Sequence, residues 1–412
     1  MRPFPQAAYW RVWHNMQSLI DRGMDPLRVL IDRAHEKNMA FLASLRMPGF
    51  GGMNPDWNTV KGGGGLAVPE LRDHQFRVLE ELVTDYGVDG VEIDVSYPGG
   101  WRNMQPEDAE RMLPVLSDYV EAIADMVKTK SGGRCDLGAR MYPTETLNRE
   151  DGLDVREWLR RGCLDYVAPL RYGYFLLDPN QPIDWLIEIA HAADTAVYGF
   201  LQPYVRDPAT GAPAVEYPTP EQMRAASANY FAKGVDGLYT WFLHWPPGDT
   251  ERSILTELGD SDLVMGKDKH YVLSRDVQNG EPYRYPQPIP FEIPHDATGK
   301  PFSVPFYLAD DFEDATRRIG TVRVRKRVYD LVSADRMDIR LNDRSLQGER
   351  CLRTLWDRDT PYNGQWLEYD LRDVCPRKGY NQLEFVLESR PADLNSSLRI
   401  EEIEIKVGYS IF

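Results

Sequence analysis

The chain has 412 residues, 42% of them hydrophobic and 27% charged, a composition of ordinary globular proteins and a length that suits one large domain with a smaller one. A net charge of −16 lacks the basic face that nucleic-acid binding requires, so that class of partner is set aside. No apolar run reaches membrane-spanning length, and Cys135, Cys163, Cys351 and Cys375 stand singly, without metal-site or disulfide-framework spacing.

The opening "MRPFPQAAYWRVWHNMQ" has no positive-then-apolar signal-peptide layout. From residue 25 to about 245, amphipathic helices alternate with short apolar strands. In "MDPLRVLIDRAHEKN", Asp25 takes the N-cap, Pro26 the first helical position, and Leu27, Leu30, Ile31 and Ala34 one face. The strand "FLASLRM" (41–47) follows, then a Gly-rich loop, "GFGGMNPDWNTVKGGGG", long enough to help form a site. The helix "PELRDHQFRVLEELVTDYG" leads into "VDGVEIDVSY".

The cycle then repeats. A helix over 106–130, with Met112, Val115, Leu116, Tyr119, Ile123 and Met126 at helical spacing, precedes "CDLGARMYP". "VREWLRRG" precedes "LDYVAPLRYGY", and "PIDWLIEIAHAAD" precedes "TAVYGFLQPYV". "TPEQMRAASANYFAKG", capped by Thr219 ahead of Pro220, precedes "VDGLYTWFLHW". Six such units predict a parallel sheet wrapped by helices, an α/β barrel of the (β/α)8 TIM type or much of one, over residues 1–265. Residues 266–304 are Pro-rich and read as a linker. Residues 305–412 carry period-two runs such as "TVRVRKRVYDLV", "NQLEFVLES" and "LRIEEIEIKVGY", broken at Asn342-Asp343 and Asn363-Gly364. They predict an antiparallel β-sandwich.

"DPLRVLIDRAHEKNMAFLASLR", "YGVDGVEIDVSYP", "WLRRGCLDYVAPLRY" and "GVDGLYTWF" resemble the glycosyl-hydrolase-like family labelled family-10-like, over residues 25–245. The resemblance implies a barrel enzyme of polysaccharide breakdown, with a carbohydrate substrate and no cofactor. "DGVEIDVSYP" is also similar to the chitinase-type motif Asp-Gly-Leu-Asp-Ile-Asp-Trp-Glu-Tyr-Pro. There Asp94 takes the place of the last aspartate, and Ser96 stands where that family keeps its catalytic glutamate. In the resembled barrels "FLASLRM" would be the third strand and "YTWF" the eighth. Two strands are therefore expected upstream of Met1, which leaves the compartment open as well.

Strand alternation puts Glu92, Asp94 and Ser96 on one side of "VEIDVSY", and Val91, Ile93 and Val95 on the other. The polar side points into the barrel, and Asp94 lies nearer the C-terminal end where such barrels keep their chemistry. Arg46, Arg140 and Arg171 end three other strands. They either neutralise the buried acids or bind an anionic sugar through their planar forks. Tyr142, Tyr172, Tyr174, Tyr204, Trp241 and Trp245 line the same rim as sugar platforms or as ordinary barrel caps. His244 is a candidate donor or acid/base, whereas His35 and His191 read as structural.

A glycosidase needs two carboxyls. Asp94 is the first; Glu145 is the leading candidate for the second, with Asp178 and Glu216 on equivalent loops. Trp356, Tyr362 and Trp366 form a possible binding face on the sandwich, whose simpler role is accessory structure. The expectation is a glycoside hydrolase, with anionic glycans among its candidate substrates, needing neither metal nor cofactor. Its rival is a non-catalytic glycan-binding protein on a degenerate barrel.

Overall fold

The computed structural model describes residues 6–47, 54–96, 102–170, 175–206, 215–241, 243–274, 288–314, 319–355 and 364–410. Helices α1 (Ala7–Asp21) and α2 (Pro26–Glu36) lead into strand β1 (Leu42–Arg46). The Asp25 side chain caps α2 by accepting from the backbone N–H groups of Leu27 and Arg28. Then follow α3 (Pro69–Glu81), β2 (Gly90–Asp94), α4 (Ala109–Ser131), β3 (Asp136–Met141), α5 (Glu145–Glu150), α6 (Val155–Arg160) and β4 (Tyr166–Pro169). After these come α7 (Asp184–Ala192), β5 (Ala196–Leu201), a small hairpin of β6 (Val205–Arg206) and β7 (Val215–Glu216), α8 (Pro220–Lys233) and β8 (Gly237–Thr240). Thr219 opens α8 with a capping box completed by Gln222.

Strands β1-β2-β3-β4-β5-β8 form one parallel sheet in that order, open between β1 and β8 among the described residues. The apolar sides of these strands pack on the helices in a single core that includes Val91, Ile93, Leu137, Ala139, Val167 and Val197. The opposite side of β2 carries Glu92 and Asp94, as the alternation predicts, while β4 and β5 place Ala168 and Phe200 in a separate apolar cluster.

Two short helices, α9 (Asp249–Glu257) and α10 (Ser261–Met265), precede the second half. Its strands are β9 (Lys269–Ser274), β10 (Phe291–Ile293), β11 (Pro301–Leu308), β12 (Ile319–Tyr329), β13 (Arg336–Leu341), β14 (Arg344–Ser345), β15 (Arg350–Leu355), β16 (Gly364–Leu371), β17 (Gly379–Ser389) and β18 (Leu398–Tyr409). One antiparallel sheet has the order β10-β18-β12-β16-β15 with β9 also on β18, and the other β11-β17-β13-β14. Their inner faces, among them Val324, Ile403 and Ile405 from the first and Val304, Phe306 and Phe385 from the second, share one apolar cluster. The sequence reading of 266–304 as linker is corrected here: 269–274 and 291–293 are strands on β18, and β11 starts before residue 305. Pairing with a partner so distant in sequence leaves no trace in local composition.

The two halves are joined by Asn229 of α8, fully buried. Its amide donates to the carbonyls of Pro179 (2.9 Å) and Tyr307 (2.8 Å) and accepts from Ala309 N–H (2.9 Å).

Lys326 of β12 is fully buried, and its Nζ, which has no hydrogen-bond partner among the described residues, lies 4.1 Å from the centre of the Tyr369 ring. Burial pulls its pKa down to about 7. An unfolded lysine keeps its proton up to about pH 10.5, so wild-type stability should rise as pH climbs from about 7 to 10.5. Lys326→Met is expected to stabilise the protein by a few kcal/mol below pH 7 and by progressively less towards pH 10. Urea unfolding across that range checks both the sign and the slope.

Candidate functional site

The parallel register builds the site in two layers. Ser44, Glu92, Gly138 and Tyr166 lie side by side on β1 to β4, and one layer towards the strand ends stand Arg46, Asp94, Arg140 and Ala168. Glu92 and Asp94 are almost wholly buried, and Arg140 nearly so. Arg140 serves both acids: its Nε is 2.8 Å from Glu92 Oε1, and its Nη2 is 3.0 Å from Asp94 Oδ2. The same Nη2 donates to Ser44 Oγ at 2.7 Å. Arg46, partly exposed, stands farther off, with Nε 3.9 Å from Asp94 Oδ2.

Two tyrosines complete the inner layer. The Tyr166 hydroxyl donates to Glu92 at 3.1 Å, and that of Tyr239 at 3.5 Å. Tyr166 can reach across β3 because its neighbour is glycine: a Cβ on Gly138 would lie 1.9 Å from the Tyr166 ring. Ser96 N–H and Oγ–H both face Asp94 Oδ1, at 3.3 and 3.4 Å. Trp241 packs beside the group, its ring centre 5.5 Å from the Arg140 guanidinium carbon.

Burial raises the Asp94 pKa above the ordinary aspartate value. Arg140 opposes that rise and Glu92 adds to it. Burial and the neighbouring Glu92 push Tyr239 up to about 12. A cavity of about 340 Å³ is walled by Leu42 of one sheet edge, by Tyr239 and Thr240 of the other, and by Glu92, Tyr166 and Tyr198 between them.

The remaining expected site residues fall elsewhere. Tyr142 is corrected from rim to core: it is fully buried, and its hydroxyl donates to Asp151 Oδ2 at 3.2 Å. β3 ends at Met141, so strand alternation no longer governs where the Tyr142 ring points. Glu145, the leading candidate for the second carboxyl, does not join the Asp94 group and is a partly exposed acid. It is the first residue of α5, gripped at 2.9 Å by both Nε and Nη2 of Arg156, which holds its pKa below normal. Tyr204 and His244 share a separate aromatic group, each ring packing on Tyr217 with centroids 5.4 and 5.1 Å apart. Asp178 accepts from the backbone of Asn180, while Glu216 lies in the small hairpin. Arg171, Tyr172 and Tyr174 fall outside the described residues, as do Trp356 and Tyr362. Trp366 is buried in β16, with Arg325 stacked 3.9 Å from its ring centre, so it presents no open binding face.

Sequence reasoning passed over Ser44, Tyr166 and Tyr239. The signal was present, since Tyr239 shares strand parity with Trp241 and Tyr166 faces a glycine across the ladder. Among the described residues, no group of three His, Cys, Asp or Glu side chains is placed to hold a metal ion, and no helix is long and apolar enough to cross a membrane.

No protein-family model matches the chain, and no curated protein sequence matches it. Solved structures with partial likeness include the spore cortex-lytic enzyme SleL of Bacillus megaterium QM B1551 (10% identity, 56% of this chain and 62% of that one, TM-score 0.40). A chitinase of Rhizomucor miehei (14%, 57% and 87%, TM-score 0.40) and one of Bacteroides thetaiotaomicron (12%, 57% and 81%, TM-score 0.39) are similar to a like extent. This chain thus spans about three fifths of the first and more than four fifths of the two chitinases.

Arg140→Met should cost about 3–5 kcal/mol, because it removes the cation that both buried carboxyls share. Glu92→Gln, which keeps the Arg140–Asp94 pair, should cost less. Chemical denaturation ranks the two.

Asp151 is bonded to Asn103 and to Tyr142, just past the end of β3. Burial pushes its pKa up to about 7, against the pull of Arg102 and of donors from Asn103 and Tyr142. An unfolded aspartate loses its proton near 3.8, so wild-type stability should fall as pH rises from about 4 to 7. Asp151→Asn should flatten that slope in melting temperatures taken across the range.

Proposed function

We propose that the chain is a glycoside hydrolase on a TIM-type barrel, acting on an oligosaccharide or polysaccharide with Asp94 as its central carboxyl. The observation that carries this reading is the placement of Asp94, buried at the C-terminal end of a parallel strand with its pKa raised. Such a carboxyl keeps a proton to higher pH, as a general acid acting on a glycosidic oxygen must. Arg46 stands on the more exposed side of Asp94. Trp241, partly exposed beside Arg140, supplies a flat apolar surface for a sugar ring.

Glu92 shares Arg140 with Asp94 and is the second carboxyl of the group. The two antiparallel sheets, read as a β-sandwich, serve as accessory structure.

A second reading, glycan binding without turnover, is favoured by one observation. Ser96 occupies the position of a chitinase-type acid, and its N–H and hydroxyl hold Asp94 rather than replace that acid.

A glycan-library screen with product analysis separates the two. Asp94→Asn should retain glycan binding and lower turnover at least about a hundredfold, the lower range for loss of acid–base help. Glycan binding by wild type without any released product would establish the second reading instead. Turnover in Asp94→Asn close to wild type would remove Asp94 from the chemistry.

A further inference from the structure

Helix α1 has no buried residue, although its composition is that of a packed helix. Tyr9, Trp13, Met16 and Ile20 recur at spacings of four, three and four, which places them in one narrow stripe. Trp10 flanks the stripe, and these five residues are each 45–57% exposed. With aromatic side chains burying ~150–250 Å² each when fully covered and aliphatic ones less, the open area of the face comes to roughly 500–600 Å². Val12 on the same helix adds further apolar surface. Ordinary monomers rarely leave more than about 300–600 Å² of contiguous apolar surface open. A standard stable interface uses about 800 Å² from each partner.

From these observations we infer that α1 pairs with α1 of a second copy of this chain. The heptad-like spacing is the pattern by which one helix seats its knobs between those of another. A second copy presents the same stripe, so the contact is self-complementary about a two-fold axis and closes at the dimer. Charge does not oppose it: the stripe carries no acid or base, and Gln17 and Asp21 bond to each other beside it. The pairing is independent of the glycan reading, because α1 contributes nothing to the Asp94 group.

The experiment is light scattering and sedimentation velocity on the full chain from 1 to 100 μM, with wild type beside a Trp13→Glu/Met16→Glu double variant. A discrete species of twice the 47.3 kDa chain mass is expected for wild type. The variant should be monomeric, with its dimerisation Kd raised at least a hundredfold. Because α1 buries none of its residues, the variant should keep the wild-type near-ultraviolet circular dichroism and melt, which shows that it remains folded. A wild type that is monomeric at 100 μM, or that forms open-ended aggregates, overturns the inference. So does a dimer that persists in the folded variant.

Discussion

A guanidinium buried between two carboxylates sets the terms for the parallel half of this protein. Glu92 and Asp94 point the same way from β2, and Arg140 answers both from the adjacent strand. Each member alone would be a charge removed from water at a cost of several kcal/mol. Together they are tolerated only if the register of β2 on β3 holds them level, since a slip of one residue would turn Arg140 towards the helices. The neighbouring positions follow from that demand. Ser44 takes a donor of the guanidinium, and Gly138 leaves room for the Tyr166 ring to bring its hydroxyl onto Glu92.

Much of this was legible in the sequence, for a simple reason. A strand alternates strictly, so acids at 92 and 94 amid valine and isoleucine must share the inward side, and arginines of like parity near neighbouring strand ends are their natural partners. The pairing of Arg140 with two acids rather than one was not legible, because it depends on which residues lie level across strands, and that is a property of the register. Alternation also fails beyond a strand's last residue. Tyr142 and Glu145 lie just past β3, where the chain turns into α5, and the tyrosine goes under towards Asp151 while the glutamate goes outward to Arg156. The same limit hid β9 and β10, whose partner strand is β18, far along the chain.

The two halves are less separable than their composition suggests. Asn229 sits on α8 of the parallel half, yet two of its hydrogen bonds are spent on the backbone of β11 and the residue just after it. Asn180, on the loop after β4, accepts from Tyr307 N–H at 2.6 Å as well. Nearby, Lys269 and Asp310 form a fully buried pair at 2.8 Å, with the Tyr271 hydroxyl on the same carboxylate. Polar groups buried at a joint hold one geometry because each alternative leaves a donor or an acceptor unmet.

The pairing of β9 with β18 has a consequence for the order of events on the ribosome. Lys269 to Ser274 leave the exit tunnel roughly 130 residues before their partners Glu402 to Val407, an interval of about 6–26 s at ordinary elongation rates of ~5–20 residues per second. During that time the parallel sheet and its helices are already available to fold, while Tyr271 and Leu273 wait as an open apolar edge. The antiparallel half therefore condenses late, around a strand made early, and the nascent chain passes through a stage in which β9 has emerged without its partner strand.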